Sequence, residues 1–173
     1  MPATFVVEDG SGKPDANSYV TLAEADQYVE DHGAEATWTA ADQAAKEEAL
    51  RLGTQFVDLK FGGRFVGYKA RRENALSWPR YSAVDEDGYA YDGTEIPPAV
   101  KYAAVEAALR HLAGDDLLGA VAHPGDVAAE SVSVGPISES LQYVGGKSQV
   151  PYYPKIAYLL RRIVVAGDVM ARG

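Results

Sequence analysis

The sequence predicts a mainly α fold, a small helical bundle with a short β-hairpin and extended loops or arms. Three observations predict it. Apolar residues recur at spacings of three and four in several separate segments. Those segments are bracketed by capping residues, prolines and glycines. One stretch only, Ser131 to Tyr143, alternates polar and apolar residues, on either side of Gly135-Pro136.

The strongest helical segment runs from Glu95 to Gly114, and the rest of the chain is organised around it. Pro97 and Pro98 suit the first helical positions, where a backbone donor would be idle. Gly114 suits the C-terminal cap, where left-handed geometry is cheapest without a Cβ. Between them Val100, Ala103, Ala104, Ala107, Ala108, His111 and Leu112 share one face, with Lys101, Glu106 and Arg110 elsewhere. That face is mostly alanine, so another backbone can approach closely along it. Upstream, Leu76-Ser-Trp-Pro-Arg80 holds Trp78 extended, because the residue before a proline is pushed out of the α region. Trp78 and Pro79 are therefore expected as anchors against this helix, as Pro97 and Pro98 are at its start.

Residues 1–18 contain the β-prone Phe5-Val6-Val7 and then turn chemistry, and form a candidate N-terminal arm. Thr21-Leu-Ala-Glu24 is a capping box, in which threonine and glutamate satisfy opposite backbone amides. A helix should follow to about Asp31, with Leu22, Ala25, Tyr28 and Val29 inside and Gly33 ending it. Thr39 is the next N-cap candidate, with Asp42 in the first turn favoured by the helix dipole. Ala45, Ala49, Leu52, Phe56 and Leu59 then predict an amphipathic helix to about Lys60, with Trp38 as a core or staple residue. Residues 61–74 and 81–94 have no steady period and read as ordered loops.

Beyond Gly114, residues 115–130 read as a flexible connection. The hairpin about Gly135-Pro136 has Val132, Val134, Ile137, Leu141 and Tyr143 as its apolar members. A hairpin of this size is marginal alone, so it should lie on the helices or on a neighbouring chain. A linker over 144–154 leads to a last helix from Pro154, with Ile156, Leu159, Leu160 and Ile163 apolar and Arg161 and Arg162 paired. Segment 154–173 either closes its own bundle or docks on a partner. The six residues just named are the candidate interface.

At 173 residues the chain suits one domain over 1–173 with a real core, and 47% hydrophobic content argues against disorder. No apolar run approaches the length of a membrane span, and Met-Pro-Ala-Thr-Phe does not suggest a signal peptide. The absence of cysteine excludes disulfides and thiolate chemistry. A net charge of −9 weighs against a dedicated nucleic-acid binder, which normally shows a basic face.

Few motifs carry chemistry. Gly145-Gly-Lys-Ser148 resembles the end of a phosphate loop, but Leu141 stands where that pattern requires glycine. His32, His111 and His123 share no zinc spacing, and Asp85-Glu-Asp-Gly88 lacks the ligand order of a calcium loop. No metal, cofactor or catalytic group is expected. Lys69, Arg71 and Arg72, close to Phe65, Tyr68 and Trp78, are the one place where cations and aromatics interleave as in single-strand binders.

An ordered set of short motifs goes further. Asn17-Ser-Tyr-Val-Thr-Leu-Ala-Glu-Ala-Asp26, Gln55-Phe-Val-Asp58 and Gly63-Arg-Phe-Val-Gly-Tyr-Lys69 come first. Leu76-Ser-Trp-Pro-Arg80, Asp87-Gly-Tyr89, Glu95-Ile-Pro-Pro-Ala-Val100, Val134-Gly-Pro-Ile137 and Tyr153-Pro154 follow in the same order. Over roughly residues 17 to 162 this set resembles the head–tail connector, or adaptor, proteins of tailed bacteriophages. Some of their relatives carry a DnaT-like single-stranded-DNA-binding label. The resemblance implies a structural virion protein in the neck, made in the bacterial host cytoplasm, with no catalytic residues and no membrane. It implies a homo-oligomeric, dodecameric ring beneath the portal protein, closed through heterologous contacts. Such a ring would extend the channel through which genomic DNA passes and meet the next neck or tail-completion protein. The alternative is a DnaT-like single-stranded-DNA-binding replication accessory protein. Residues 115–130 and those past Arg162 depart from the pattern.

Overall fold

Residues 4–33, 35–118, 130–134, 137–141 and 153–165 are described by a computed structural model. In chain order they form α1 (Leu22–Asp31), α2 (Ala36–Ala40), α3 (Gln43–Phe61), β1 (Tyr68–Lys69), β2 (Arg80–Tyr81), α4 (Pro98–Leu112), β3 (Glu130–Val134), β4 (Ile137–Leu141) and α5 (Pro154–Leu160). A single 3-10 turn, Gly62–Arg64, follows α3. The expected mainly α architecture is what these residues adopt. Contacts divide the chain into a helical body, Met1–Leu117 with Tyr153–Gly173, and a second unit, Leu118–Tyr152. The one-domain reading of 1–173 did not contain that division.

Helix α1 starts as the capping box requires. Thr21 Oγ1 accepts from the Glu24 amide at 3.2 Å, and Glu24 Oε2 accepts from the Thr21 amide at 2.9 Å. Ala25, Tyr28 and Val29 are buried and Leu22 is partly so, as the spacing predicts.

Helix α3 corrects two expectations. Its N-cap is Asp42, whose carboxylate accepts from the Ala45 amide at 2.8 Å, while Thr39 lies inside the short α2. Trp38 is buried in α2, which bears out its reading as a core residue. The buried face of α3 is Ala49, Leu50, Gly53, Thr54, Phe56, Val57 and Phe61. Leu59 is 66% exposed, and Ala45 and Leu52 are only half-buried. The inward face turns on two small residues that a count of large apolar side chains passes over.

The reason is helix α4. A Cβ on Gly53 would lie 2.3 Å from the Ala104 carbonyl oxygen and 2.8 Å from the Ala108 amide nitrogen. The two helices therefore touch backbone to backbone at Ala104 and Ala108, and Val100, Ala103, Val105 and Ala107 of α4 are buried as well. Pro97 caps α4 and Pro98 is its first residue. Gly114, at φ +96°, ends it in a Schellman arrangement, with its amide on His111 O (2.9 Å) and the Asp115 amide on Arg110 O (3.0 Å). Glu106, expected on the outer face, is 6% exposed and correspondingly paired.

Trp78 is wholly buried, edge-on to Phe65 at 5.8 Å and to Tyr91 at 5.6 Å, with Pro79 buried behind it. The Trp78–Pro79 peptide is cis. Strands β1 and β2 flank this plug as an antiparallel pair, Tyr68 opposite Tyr81 and Lys69 opposite Arg80. Residues 4–20 lie along the body, with the Ala75 amide bonded to Lys13 O at 3.0 Å. There the buried Glu8 carboxylate gathers the amides of Gly10, Gly12 and Lys13 at 2.8–2.9 Å.

In the second unit β3 and β4 form the expected antiparallel hairpin, with Val132 opposite Glu139 and Val134 opposite Ile137. Tyr143, His123 and Gly145–Ser148 lie outside the described residues.

The α3–α4 contact yields a sharp expectation. Gly53→Ala gains about 1 kcal/mol of helix propensity yet should lose about 1–3 kcal/mol net through overpacking against backbone. Gly63→Ala, with open space around its Cβ, should be near neutral in the same denaturant titration.

Candidate interaction surfaces

Buried polar joints set the body's loops, and the exposed chemistry sits on those loops. At the last turns of α3, Asp58 Oδ1 accepts from the Tyr19 hydroxyl at 2.5 Å, and Asp58 Oδ2 from the Ser77 amide at 2.8 Å. The same hydroxyl accepts from the amides of Ser77 and Trp78 at 3.0 and 3.2 Å. Burial pushes the Asp58 carboxyl above the usual aspartate range, against the bonds from Tyr19 and Ser77 that favour its charged form. Burial, reinforced by the Asp58 charge, pushes the Tyr19 phenol well up. Arg80 is 8% exposed and donates to the carbonyls of Phe65, Val66, Gly67 and Ser77 at 2.7–3.2 Å. Its guanidinium thus clamps the turn between α3 and β1 to the tryptophan segment.

On the far side of that clamp are the interleaved cations and aromatics, and the structure separates them into two kinds. Phe65 and Trp78 are core. Tyr68 and Tyr81 are 60% and 45% exposed and pack edge to face at 6.2 Å. Lys69 Nζ donates to Asn74 O at 2.7 Å, while Arg71 and Arg72 are exposed.

A second surface lies between α1 and α4, a groove of about 520 Å³ lined by Tyr28, His32, Asp31, Ile96, Lys101 and Tyr102 among others. Tyr28 stacks on His32 at 4.0 Å and on Tyr102 at 4.8 Å. His32 Nδ1 lies 2.8 Å from Tyr28 O. Under the stack, Glu106 Oε1 accepts from the Tyr28 hydroxyl at 2.8 Å and pairs with Lys155 Nζ at 2.5 Å, which ties α1, α4 and α5 together. Burial first, then the Glu106 carboxylate, raises the Tyr28 phenol. The groove was not visible in the sequence. The Tyr28 and His32 pair at helical spacing, facing Tyr102, was the available signal.

The C-terminal residues proposed as a partner interface are placed differently from expectation. Ile156, Leu160 and Ile163 are at most 1% exposed within the body's own core, and Leu159 is half-buried. The Val66 amide bonds to Ile163 O, and the Val165 amide to Arg64 O, so this stretch also closes the end of the body. Docking through those three side chains gives way to a core role. Arg161 is exposed. Arg162 pairs with Glu86 Oε1 at 2.8 Å and Asp87 Oδ2 at 2.7 Å, holding the acidic turn 85–88. Asp85 Oδ1 accepts from the amides of Asp87 and Tyr89 within that turn, so it is turn chemistry and not a calcium loop.

Residues 3–172 match the family model described as "Putative DnaT-like ssDNA binding protein". The chain belongs to this DnaT-like family. Nearly the whole chain is covered, which bears out the ordered motifs as far as their DnaT-like label. No curated protein and no solved structure matches. Among the described residues of this family member, no cluster of His, Asp and Glu could hold a metal, and no helix is long and apolar enough to cross a membrane.

The Asp58 joint makes a pH prediction. A carboxyl whose folded pKa is raised adds stability below its unfolded value and loses it as pH rises through the folded one. The amide introduced by Asp58→Asn stays neutral throughout. In denaturant titrations, wild type should therefore gain on that variant as pH falls from neutral toward the ordinary value of 3.8. A wild-type advantage that shrinks on acidification would contradict the burial argument.

Proposed function

We propose that this chain is a structural subunit of a bacteriophage neck, a head–tail connector or adaptor that forms a closed ring beneath the portal. One observation carries the reading. The ordered motifs that resemble the connector proteins coincide with the body's joints, not with a cluster of reactive groups. Asn17 ties Val6 and Thr4, Tyr19 meets Asp58, Trp78 and Pro79 plug the core, Arg80 clamps four carbonyls, and Pro97 and Pro98 start α4. What these motifs build is a frame, which suits assembly better than catalysis. Two five-residue strands in a separate unit fit the same reading, since a hairpin that small gains stability from a neighbouring chain. An acidic chain also suits the wall of a channel that genomic DNA must slide through without being gripped.

In this role the partners are further copies of the chain, the portal protein, and the next neck or tail-completion protein. The site of action is the virion neck.

A second reading, a single-stranded-DNA-binding replication accessory protein, is favoured by the family's description and by exposed Tyr68 and Tyr81 beside Arg71 and Arg72. One pair of measurements separates the two. Mixed with the portal of the same phage, the chain should form closed rings of about twelve copies, visible as particles. Its oligonucleotide affinity should be weak and should vanish near physiological salt. A chain that ignores the portal and binds a single strand submicromolarly at physiological salt would reverse the assignment.

A further inference from the structure

The hairpin 83–91, which follows β2, is a unit of its own. Val84 bridges Ala90, the Tyr91 amide bonds to Ala83 O at 2.9 Å, and the Asp85 amide bonds to Tyr89 O at 3.0 Å. Its outer part, Val84 and residues 86–90, is exposed. Its inner side is the wholly buried Ala83 and the half-buried Tyr91, whose ring stands edge-on to Trp78 at 5.6 Å. The hairpin thus covers one side of the tryptophan plug.

Two features of that covered state are unfavourable. Ser82, where the hairpin leaves β2, has φ +52°, a left-handed geometry that a residue with a Cβ adopts under strain. The backbone on either side of it is pressed against Gly67, where a Cβ would lie 2.3 Å from Tyr81 O and 2.7 Å from Ala83 N. The strain therefore belongs to the hairpin's seated position. The second feature is Trp78 Nε1, which is buried and finds no hydrogen-bond partner among the described residues. An orphaned buried donor forfeits the bond it would make to water once uncovered.

The opposing contact is ionic. Arg162 reaches Glu86 Oε1 at 2.8 Å and Asp87 Oδ2 at 2.7 Å, at the tip of the hairpin. Its backbone is anchored by Leu160 and Ile163, both at most 1% exposed, whereas the three charged side chains are about half exposed. Exposed pairs of this kind are individually weak and are screened by salt.

We propose that hairpin 83–91 is a lid over Trp78, hinged at Ser82 and Gly93, with Arg162 as an ionic latch that salt releases. Lifting the lid relaxes Ser82, gives the indole N–H an acceptor in water and uncovers the indole. The C-terminal stretch, through Arg162, thereby sets how often a buried aromatic face becomes available at the surface. The lid needs neither a neighbouring copy nor a nucleic acid, so it stands apart from the ring reading.

The test follows indole N–H exchange in the full chain by NMR, at low salt and at about 1 M salt, where screening is nearly complete. The sequence has two tryptophans, and Trp38, whose Nε1 donates to Asp26 at 2.8 Å, is the internal control. The Trp78 indole should exchange faster than the amides around Gly53 and Ala104. Salt or Arg162→Gln should speed it about tenfold, a size that two exposed ion pairs can supply. In the variant, Trp38 and the α3–α4 amides should be unchanged. Ser82→Gly should slow Trp78, because glycine removes strain from the seated position. Trp78 exchanging no faster than the α3–α4 amides, or indifferent to both salt and Arg162, would overturn the lid. So would an Arg162→Gln variant that speeds Trp78 and the α3–α4 amides by the same factor, since Arg162 would then be closing the core.

Discussion

The structure depends on one contact, the backbone approach of α3 and α4 at Gly53. With no side chain there, Ala104 and Ala108 reach the α3 backbone, and the two longest helices become a single slab. The remaining elements are sized to its edges. Tyr28 and Val29 bring α1 to one edge, while Ile156 and Leu160 bring α5 to another. A larger residue at the crossing would move every one of these docking edges, because close-packed interiors transmit strain instead of absorbing it.

Polar groups then decide how the loops sit on that slab. Asp58, Glu106 and Arg80 would each be costly to bury alone. Each is matched: Asp58 by Tyr19 and Ser77, Glu106 by Tyr28 and Lys155, Arg80 by four carbonyls. Removing one partner leaves the other buried and unpaired, so these joints specify position as well as stability. They hold the 65–81 segment at the end of α3 and the α1–α4 groove beside Tyr28 in fixed places on one body.

Much of this frame was legible in the sequence. The capping box at Thr21, the prolines that begin α4, Gly114 after its end and the buried Trp78 all follow from local chemistry that tertiary structure does not override. The α3 register did not. Its inward face is defined by Gly53 and Thr54, which a hydrophobic count ignores, and its cap is Asp42, which the sequence placed in the first turn behind Thr39. Glu106 looked like a surface residue because its partners, Tyr28 and Lys155, are 78 and 49 positions away in sequence. The C-terminal stretch looked fit for a partner because its apolar side chains are nearly continuous. The structure uses Ile156, Leu160 and Ile163 to close the core. Composition cannot tell a face awaiting a partner from one already covered by its own chain.

In the proposed ring, a helical body presents itself to neighbouring copies, and the small hairpin gains its stability from them. Amide hydrogen exchange on the isolated chain and on the chain assembled with portal tests this most directly. Amides of α3 and α4 around Gly53 and Ala104 should exchange slowest in both states, while those of β3 and β4 should slow markedly on assembly. Equal protection of the hairpin in both states, or an α3–α4 contact that exchanges as fast as the loops, would contradict it.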